Sequence, residues 1–281
     1  MASILPGYEY DIFISYRQKD NKGDRWVSEF VEALKSELEA TFKEEISIYF
    51  DINPHDGLLE THDVDASLKD KLKCLVFLPV ISRTYCDPRS FAWEHEFKAF
   101  IEQASQDQFG LKIKLPNGNV ANRVLPVRIH DLDSDDIKLC ESVLGGVLRG
   151  IEFIYKESGF NRPIKSDDDE KLNLNKTKYR NQIAKVALAI KEIINVVKEQ
   201  GHSSEKVFKQ EVDTLLVHSK KQYIVPYDIA ILYACAGNKE RAMDMLERAY
   251  EMHDVNLPWM VTFPLLTISI MNLVSGRLPA R

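Results

Sequence analysis

The order of apolar and polar positions predicts that the chain opens with a strand followed by a helix. Residues 10–16 form a short apolar run rich in β-forming side chains, and the polar residues 17–24 come directly after it. This pattern is typical of a buried strand that leads into a loop. From residue 25, apolar side chains recur every three to four positions and predict one buried face of a helix: Trp26, Phe30, Ala33, Leu34 and Leu38.

The same alternation of strands and helices continues to about residue 155. Further strands are predicted at residues 46–50, 74–78, 123–129 and 150–155, and helices at about residues 64–72, 90–104 and 135–144. The third strand is almost wholly apolar, as expected for a central parallel strand covered on both faces. The pattern predicts an α/β fold of the flavodoxin-like type, a five-stranded parallel sheet with helices on both faces.

The end of this first domain is predicted to be a loop followed by a long helix. Residues 160–180 contain the acidic run 166–170 and few apolar side chains, which is typical of a solvated loop or insertion. A closing helix is expected at about residues 176–199, with one apolar face, and residues 201–205 are a candidate linker. The first domain is therefore expected to span residues 1–200, around a core of residues 8–155.

A smaller all-α region is predicted at residues 206–281, centred on a helical hairpin over residues 226–250. Gly237 and Asn238 would form the turn of this hairpin. The hairpin resembles one tetratricopeptide unit, and small residues that let its helices approach closely carry the resemblance. A single unit cannot bury its own apolar face, so residues 207–218 and 259 onward are expected to stack on it. The matching residues are Tyr233, Ala242, Leu246 and Ala249.

Charge and cysteine usage exclude several classes of function. The net charge of −6, from 37 basic and 43 acidic residues, gives no positive excess, so nucleic acid is not an expected partner. The four cysteines are widely separated and lack metal-ligand spacing, so we expect no metal and mostly reduced core thiols. These features favour a cytoplasmic protein.

Two segments bear on membrane attachment. Residues 1–7 lack the basic region and apolar run of a signal peptide. Residues 257–274 carry no charged side chain and approach the length of a membrane span, but they include Pro258, Pro264 and Asn272. These residues suit a buried or broken helical hairpin better than a continuous helix in lipid, so membrane insertion is not expected.

A doubly wound sheet directs attention to the loops at the carboxyl ends of its strands, where ligands bind. Three such loops are predicted here, at residues 17–24, 51–57 and 85–96. None of them contains the glycine pattern of a P-loop or of a dinucleotide-binding Rossmann turn. A P-loop enzyme and an ordinary Rossmann enzyme are therefore disfavoured.

Three motifs in these regions resemble the Toll/interleukin-1 receptor (TIR) domain family. Residues 10–17, YDIFISYR, resemble the opening strand of that family, and residues 51–57 lie where the family has its BB loop. Residues 90–97, SFAWEHEF, are similar to the family's helix with serine, tryptophan and glutamate, in which the glutamate follows the serine by six residues. The three motifs occur in the family's order and cover about residues 8 to 155.

The third motif departs from the family pattern at one position. The tryptophan is expected where the chain has Ala92, and here it is Trp93. Glu94 also supplies a second carboxylate nearby. Counting from Ser90 selects Glu96 as the family's glutamate, with Glu94 as a possible substitute.

The resemblance implies that the domain cleaves the bond between nicotinamide and ribose in NAD+, which would be a substrate and not a cofactor. The nicotinamide leaving group is already cationic and needs no general acid, so one carboxylate is sufficient. Glu96 would bind the ribose hydroxyls and stabilise the positive charge that develops on the ring. Arg17 could meet the pyrophosphate and Trp93 could stack on a base, and Tyr16 and Asp51 complete the expected NAD+ contacts.

Each of these residues also has an ordinary structural interpretation. Arg17 could make a structural ion pair, Asp51 could cap its loop, Trp93 could pack in the core, and Glu96 could lie on a solvated helix face.

Two classes of function stay open from the sequence. In the first, the chain is an NAD+ glycohydrolase or cyclase switched on by self-association through the TIR domain, with the C-terminal helices as a sensor or partner-binding element. Its modular organisation resembles that of bacterial defence signalling proteins. In the second, the chain is a non-enzymatic adaptor that recruits other TIR domains. A receiver-like or flavin-binding domain is a weaker third hypothesis. A receiver domain needs a phosphorylatable aspartate at the end of the third strand, where this chain has Leu-Pro-Val at residues 78–80.

Overall fold

The computed structural model describes residues 3–50, 64–168, 177–219, 225–235 and 239–253. The predicted loop 51–57 with Asp51, the turn at Gly237 and Asn238, and the apolar segment 257–274 lie outside these ranges. Contacts divide the chain into one unit of Met1–Lys198 and a second of Glu199–Arg281.

Strands and helices alternate along most of the first unit. The strands in the described ranges are β1 Tyr10–Ser15, β2 Ile48–Phe50, β3 Cys74–Ile81, β4 Lys112–Lys114, β5 Val120–Asn122, β6 Val127–Arg128, β7 Ile151–Glu152, β8 Ile154–Glu157 and β9 Phe160–Pro163. The α-helices are α1 Trp26–Thr41, α2 Val64–Lys71, α3 Ala99–Gln106, α4 Ser134–Leu144, α5 Thr177–Ser219, α6 Pro226–Cys235 and α7 Lys239–Glu251. A 3₁₀ turn, Gln18–Asn21, follows β1, and a π-helix, Ala92–Lys98, leads directly into α3.

The central sheet has five parallel strands in the order β2-β1-β3-β6-β7. Ile12 in β1 lies opposite both Ile48 in β2 and Val76 in β3, so the first strand is the second in space. The two faces of the sheet are covered by separate apolar clusters, one with α1 and α5 and one with α2, α3 and α4. The predicted flavodoxin-like parallel sheet with helices on both faces is therefore confirmed, as is the helical region after it.

The fifth strand is shorter than the predicted span of residues 150–155. β7 ends at Glu152, and the chain then leaves the sheet in the antiparallel hairpin β8–β9. The two-residue turn of this hairpin places Gly159 at φ +89°, a conformation that glycine adopts without strain. Residues 160–163 are consequently a strand and not part of a solvated loop. The hairpin β4–β5 was also not predicted.

The closing helix does not end at residue 199, and residues 201–205, the candidate linker, are helical. These residues continue α5, which runs without interruption from Thr177 to Ser219. One glycine in a helix costs only about 1 kcal/mol relative to alanine. Because the residues around Gly201 are mostly good helix formers, that cost is too small to end the helix.

The second unit contains the predicted helical hairpin as α6 and α7. Tyr227 and Ala230 of α6 pack with Leu246 and Ala249 of α7. All four residues that carry the tetratricopeptide resemblance are buried, with exposures of 8% or less. Within the described ranges, no helix is long and apolar enough to cross a membrane.

A buried carboxylate joins the first strand to the start of the chain and to the segment before β2. Asp11 is fully buried, and its two oxygens accept four hydrogen bonds. The hydroxyl of Ser3 and the amide of Ile4 donate to Oδ1, and the amide and hydroxyl of Ser47 donate to Oδ2. These bonds replace the water that a buried carboxylate loses, so they are required for its burial.

We expect Asp11→Asn to lower the free energy of unfolding by about 2–4 kcal/mol, because the new amide group would face the donors of Ser47 or Ser3. Urea unfolding followed by tryptophan fluorescence measures the change. Asp70→Asn is the matched control, since Asp70 is largely exposed and, in the part of the chain that the structure describes, forms an ion pair with Lys73. A loss at Asp11 no larger than the loss at Asp70 would contradict this role.

Candidate functional site

The candidate site lies at the carboxyl edge of the sheet, where β1 and β3 end side by side. Ser15 is the last residue of β1 and pairs with Pro79 of β3. The chain leaves β3 through Ser82 and Tyr85 and then enters the π-helix that carries Glu96. In a parallel sheet of this order, the first and third strands flank the point where the winding direction reverses, which is the usual ligand position.

The start of the π-helix is stabilised by Ser90, the serine of the third motif. Its Oγ accepts a hydrogen bond of 3.2 Å from the backbone amide of Trp93, and its carbonyl accepts one of 3.0 Å from Glu94. A π-helical turn accommodates one more residue than an α-helical turn and is frequent at functional sites. The segment that departs from the family pattern, at Ala92 and Trp93, is thus also the segment with irregular helix geometry.

Glu96 is half-buried and its carboxylate contacts the end of β1. The Ser15 hydroxyl donates to Glu96 Oε2 at 2.5 Å, and Ser15 Oγ also lies 2.8 Å from the Tyr85 hydroxyl. Ser15 is 1% exposed and Tyr85 is fully buried. The carboxylate is therefore held at the carboxyl edge of the sheet by the buried hydroxyl of Ser15, which in turn contacts the buried hydroxyl of Tyr85.

Tyr85 packs against the helix that carries Glu96. Its ring meets those of Trp93 and Phe97 edge-on, at centroid distances of 6.3 Å and 6.1 Å. Burial, and secondarily the negative charge of Glu96, raise the pKa of Tyr85 well above its ordinary value. Its phenol consequently stays protonated and can donate a hydrogen bond at any ordinary pH.

Glu94 occupies a different position from Glu96. Its side chain is 49% exposed, and its Oε2 accepts a hydrogen bond of 2.7 Å from Lys98, one helical turn later. The structure thus separates the two carboxylates that the sequence left as alternatives. Glu96 faces the end of β1, and Glu94 forms a surface ion pair.

Two of the predicted NAD+ contacts lie in the core. Trp93 is fully buried among aromatic side chains and presents no open ring face, which matches its structural interpretation. Tyr16 is 9% exposed and packs against Phe50, in the cluster on the α1 side of the sheet. Because side chains alternate along a strand, Tyr16 and Ser15 point to opposite faces, and Tyr16 is not brought to Glu96.

Arg17 lies at the carboxyl edge, two residues after Ser15. Its side chain is 21% exposed, and its Nη2 lies 3.9 Å from Asp87 Oδ2. This distance is at the outer limit of an ion pair, and the buried Nε has no hydrogen-bond partner among the described residues. Arg17 is thus placed on the expected side of the sheet. The position of Asp51 lies outside the described ranges.

A second polar cluster lies next to this site and was not predicted. Asp20, in the 3₁₀ turn after β1, accepts hydrogen bonds from Ser82 at 2.5 Å and Thr84 at 3.0 Å. Burial raises the pKa of Asp20 despite these two bonds. The cluster ties the loop that carries Arg17 to the loop that carries Tyr85.

His130 follows β6 at the same edge and interacts electrostatically with Asp20. Its half-buried environment lowers the pKa of the imidazole, and its buried Nδ1 has no hydrogen-bond partner among the described residues. Neutral histidine is therefore the favoured form in the folded protein.

Sequence reasoning missed the residues that hold the carboxylate. Ser15 was part of the first motif, and its place at the strand end could have suggested a role. Asp20 and Tyr85 lie in two of the predicted ligand-binding loops, but their roles could not be assigned because their partners are distant along the chain, and no sequence signal marked His130. Within the described residues, no cluster of histidine, cysteine, aspartate and glutamate could hold a metal ion.

No protein-family model matches this chain, and no curated protein matches it either.

The low pKa of His130 generates a prediction about stability. In the folded protein this pKa lies below the unfolded value of 6.5, so the unfolded chain binds the proton more tightly. The neutral imidazole thus favours the folded state fully above about pH 6.5, and this advantage is lost as the pH falls. We expect the melting temperature to fall more between about pH 7.5 and about pH 5.5 in the wild type than in His130→Asn. Equal falls in both proteins would contradict this assignment.

Proposed function

We propose that the first unit is a TIR-type domain that cleaves the nicotinamide–ribose bond of NAD+, with Glu96 as the catalytic residue. The carboxylate of Glu96 carries this proposal, because it lies at the carboxyl edge of a parallel sheet and is oriented by the end of β1. The three TIR-like motifs and the strand order β2-β1-β3-β6-β7 support the same reading.

The reaction needs one anionic group beside the ribose. As the C1′–N bond breaks, both electrons leave with nicotinamide, and positive charge develops on C1′ and the ring oxygen. The Glu96 carboxylate would stabilise this charge electrostatically and accept hydrogen bonds from the ribose hydroxyls. Water then adds to C1′ and loses a proton, giving ADP-ribose, or a nitrogen of the adenine adds instead and gives a cyclic product.

Arg17 is placed to bind the pyrophosphate. A guanidinium group binds two phosphate oxygens at once, and Arg17 lies only two residues beyond the serine that holds Glu96. Its long contact with Asp87 leaves most of its hydrogen-bonding capacity for an anion.

Self-association through the first unit would complete the NAD+ pocket. The helices of the second unit would be the element that responds to a partner.

The proposal is tested by incubating the purified full chain with NAD+ at high protein concentration, with and without a crowding agent. We expect the wild type to release nicotinamide and Glu96→Gln to lose at least about 100-fold in kcat, the scale of one electrostatic stabiliser. Glu94→Gln is the matched control on the same helix, and we expect it to keep wild-type activity because, among the described residues, Glu94 forms an exposed ion pair with Lys98.

Three outcomes distinguish the alternatives. Loss of activity in Glu94→Gln alone would move the site to Glu94. Absence of nicotinamide release under every condition would contradict the enzymatic proposal. TIR-dependent self-association in that inactive protein would then favour the adaptor, which does not require Glu96.

A further inference from the structure

The donor and the acceptor in each hydrogen bond beside Glu96 can be assigned from the chemistry of the groups. An ionised carboxylate accepts hydrogen bonds and donates none, so the proton in the 2.5 Å contact belongs to Ser15. A serine hydroxyl has a single proton, and here it is committed to Glu96. The proton in the 2.8 Å contact between Ser15 and Tyr85 must therefore come from the phenol.

Both hydroxyl groups have a buried and well-defined position. Ser15 is 1% exposed and Tyr85 is fully buried, so bulk water does not compete for either contact. The Tyr85 amide donates to Ser82 Oγ at 3.1 Å, which fixes the backbone next to the end of β3. Phe97 packs against the Tyr85 ring one residue after Glu96. The ring and its hydroxyl thus bridge β1, the loop after β3 and the π-helix.

We propose that Tyr85 and Ser15 form a directional hydrogen-bond relay that orients the Glu96 carboxylate toward the ribose of NAD+. The hydrogen bond from Ser15 fixes the position of Oε2 and thereby restricts the orientations that the carboxylate can adopt. Tyr85 polarises the Ser15 hydroxyl and strengthens its bond to Glu96. Both residues act through Glu96, so they are positioning residues. The inference rests on the proposed NAD+ cleavage and assigns to it two residues that touch no substrate.

The phenol suits this role better than a second carboxylate or an imidazole would. Its raised pKa keeps the phenol protonated near neutral pH, so Tyr85 remains the hydrogen-bond donor to Ser15. It also adds no charge of its own beside Glu96.

A double-mutant cycle on the full chain tests the relay. We expect Tyr85→Phe to lower kcat by about 3- to 10-fold and Ser15→Ala by about 10- to 100-fold, from the usual strengths of neutral and charge-assisted hydrogen bonds. KM for NAD+ should stay within about twofold in both, because orientation of the catalytic group affects the transition state more than binding. Tyr155→Phe is the matched control, since its hydroxyl bonds Glu157 on the exposed hairpin.

The double variant gives the decisive comparison. Once Ser15 is absent, the hydrogen-bonded link from Tyr85 through Ser15 to Glu96 is broken, so the double variant should have the kcat of Ser15→Ala within about twofold. Multiplied losses would show independent effects and overturn the relay. An unchanged kcat in Tyr85→Phe would also overturn the relay. Because this variant keeps the whole aromatic ring, it tests the relay even if Ser15→Ala does not fold.

These outcomes separate the relay from the proposed function. An active wild type with an inactive Glu96→Gln, but with full activity in Tyr85→Phe, would contradict the relay alone. A wild type that releases no nicotinamide contradicts the proposed function and the relay with it.

Discussion

The hydrogen bond between Ser15 and Glu96 is the contact on which the candidate site depends. It joins the end of the first strand to an irregular helix 81 residues later, and it converts an ordinary helical glutamate into a carboxylate with a defined direction. The neighbouring Glu94 shows the alternative, because it differs by only two positions and forms an exposed pair with Lys98. Glu94 and Glu96 are the same residue type, so their different roles follow from their positions on the helix and from the buried partner of Glu96.

The geometry around this contact is set by the parallel sheet. β1 and β3 end at the same edge, so the loops after them meet there, and Asp20 bonds Ser82 and Thr84 across the gap. Asp11 anchors β1 elsewhere, through four hydrogen bonds to residues outside that strand. The strand that presents Ser15 is thereby fixed at a buried ionic group, while its carboxyl end stays open for loops that carry function.

The fold was largely predictable from the sequence because apolar periodicity reports burial directly. The near-continuous run of β3 and the helical face of α1 were sufficient to place both elements. The hairpin β8–β9 was missed because Ile154 and Tyr155 extend the apolar pattern of the preceding strand, and periodicity cannot show where a strand leaves its sheet. The helix through Gly201 was missed because one glycine is a weak signal against a long helical stretch.

The site was predictable only in part. The motif spacing selected Glu96, and the structure places it at the carboxyl edge as expected, but the tryptophan assigned to stacking is enclosed in the core. Ser15 and Tyr85 could not be paired from sequence, since the contact joins residues 70 positions apart. A local sequence motif can identify a side chain that is able to take part in the reaction. Its orientation depends on contacts with residues that are distant in sequence, and those contacts are known only from the fold.

The most direct test of the central claim is a crystal structure of the Glu96→Gln variant with NAD+ bound. This substitution preserves the shape of the side chain while removing its charge, so substrate should persist in the crystal. We expect the ribose attached to nicotinamide to lie within about 3.5 Å of the side chain at position 96, which should stay hydrogen-bonded to Ser15. A dinucleotide bound away from the ends of β1 and β3, with position 96 turned from its ribose, would contradict it.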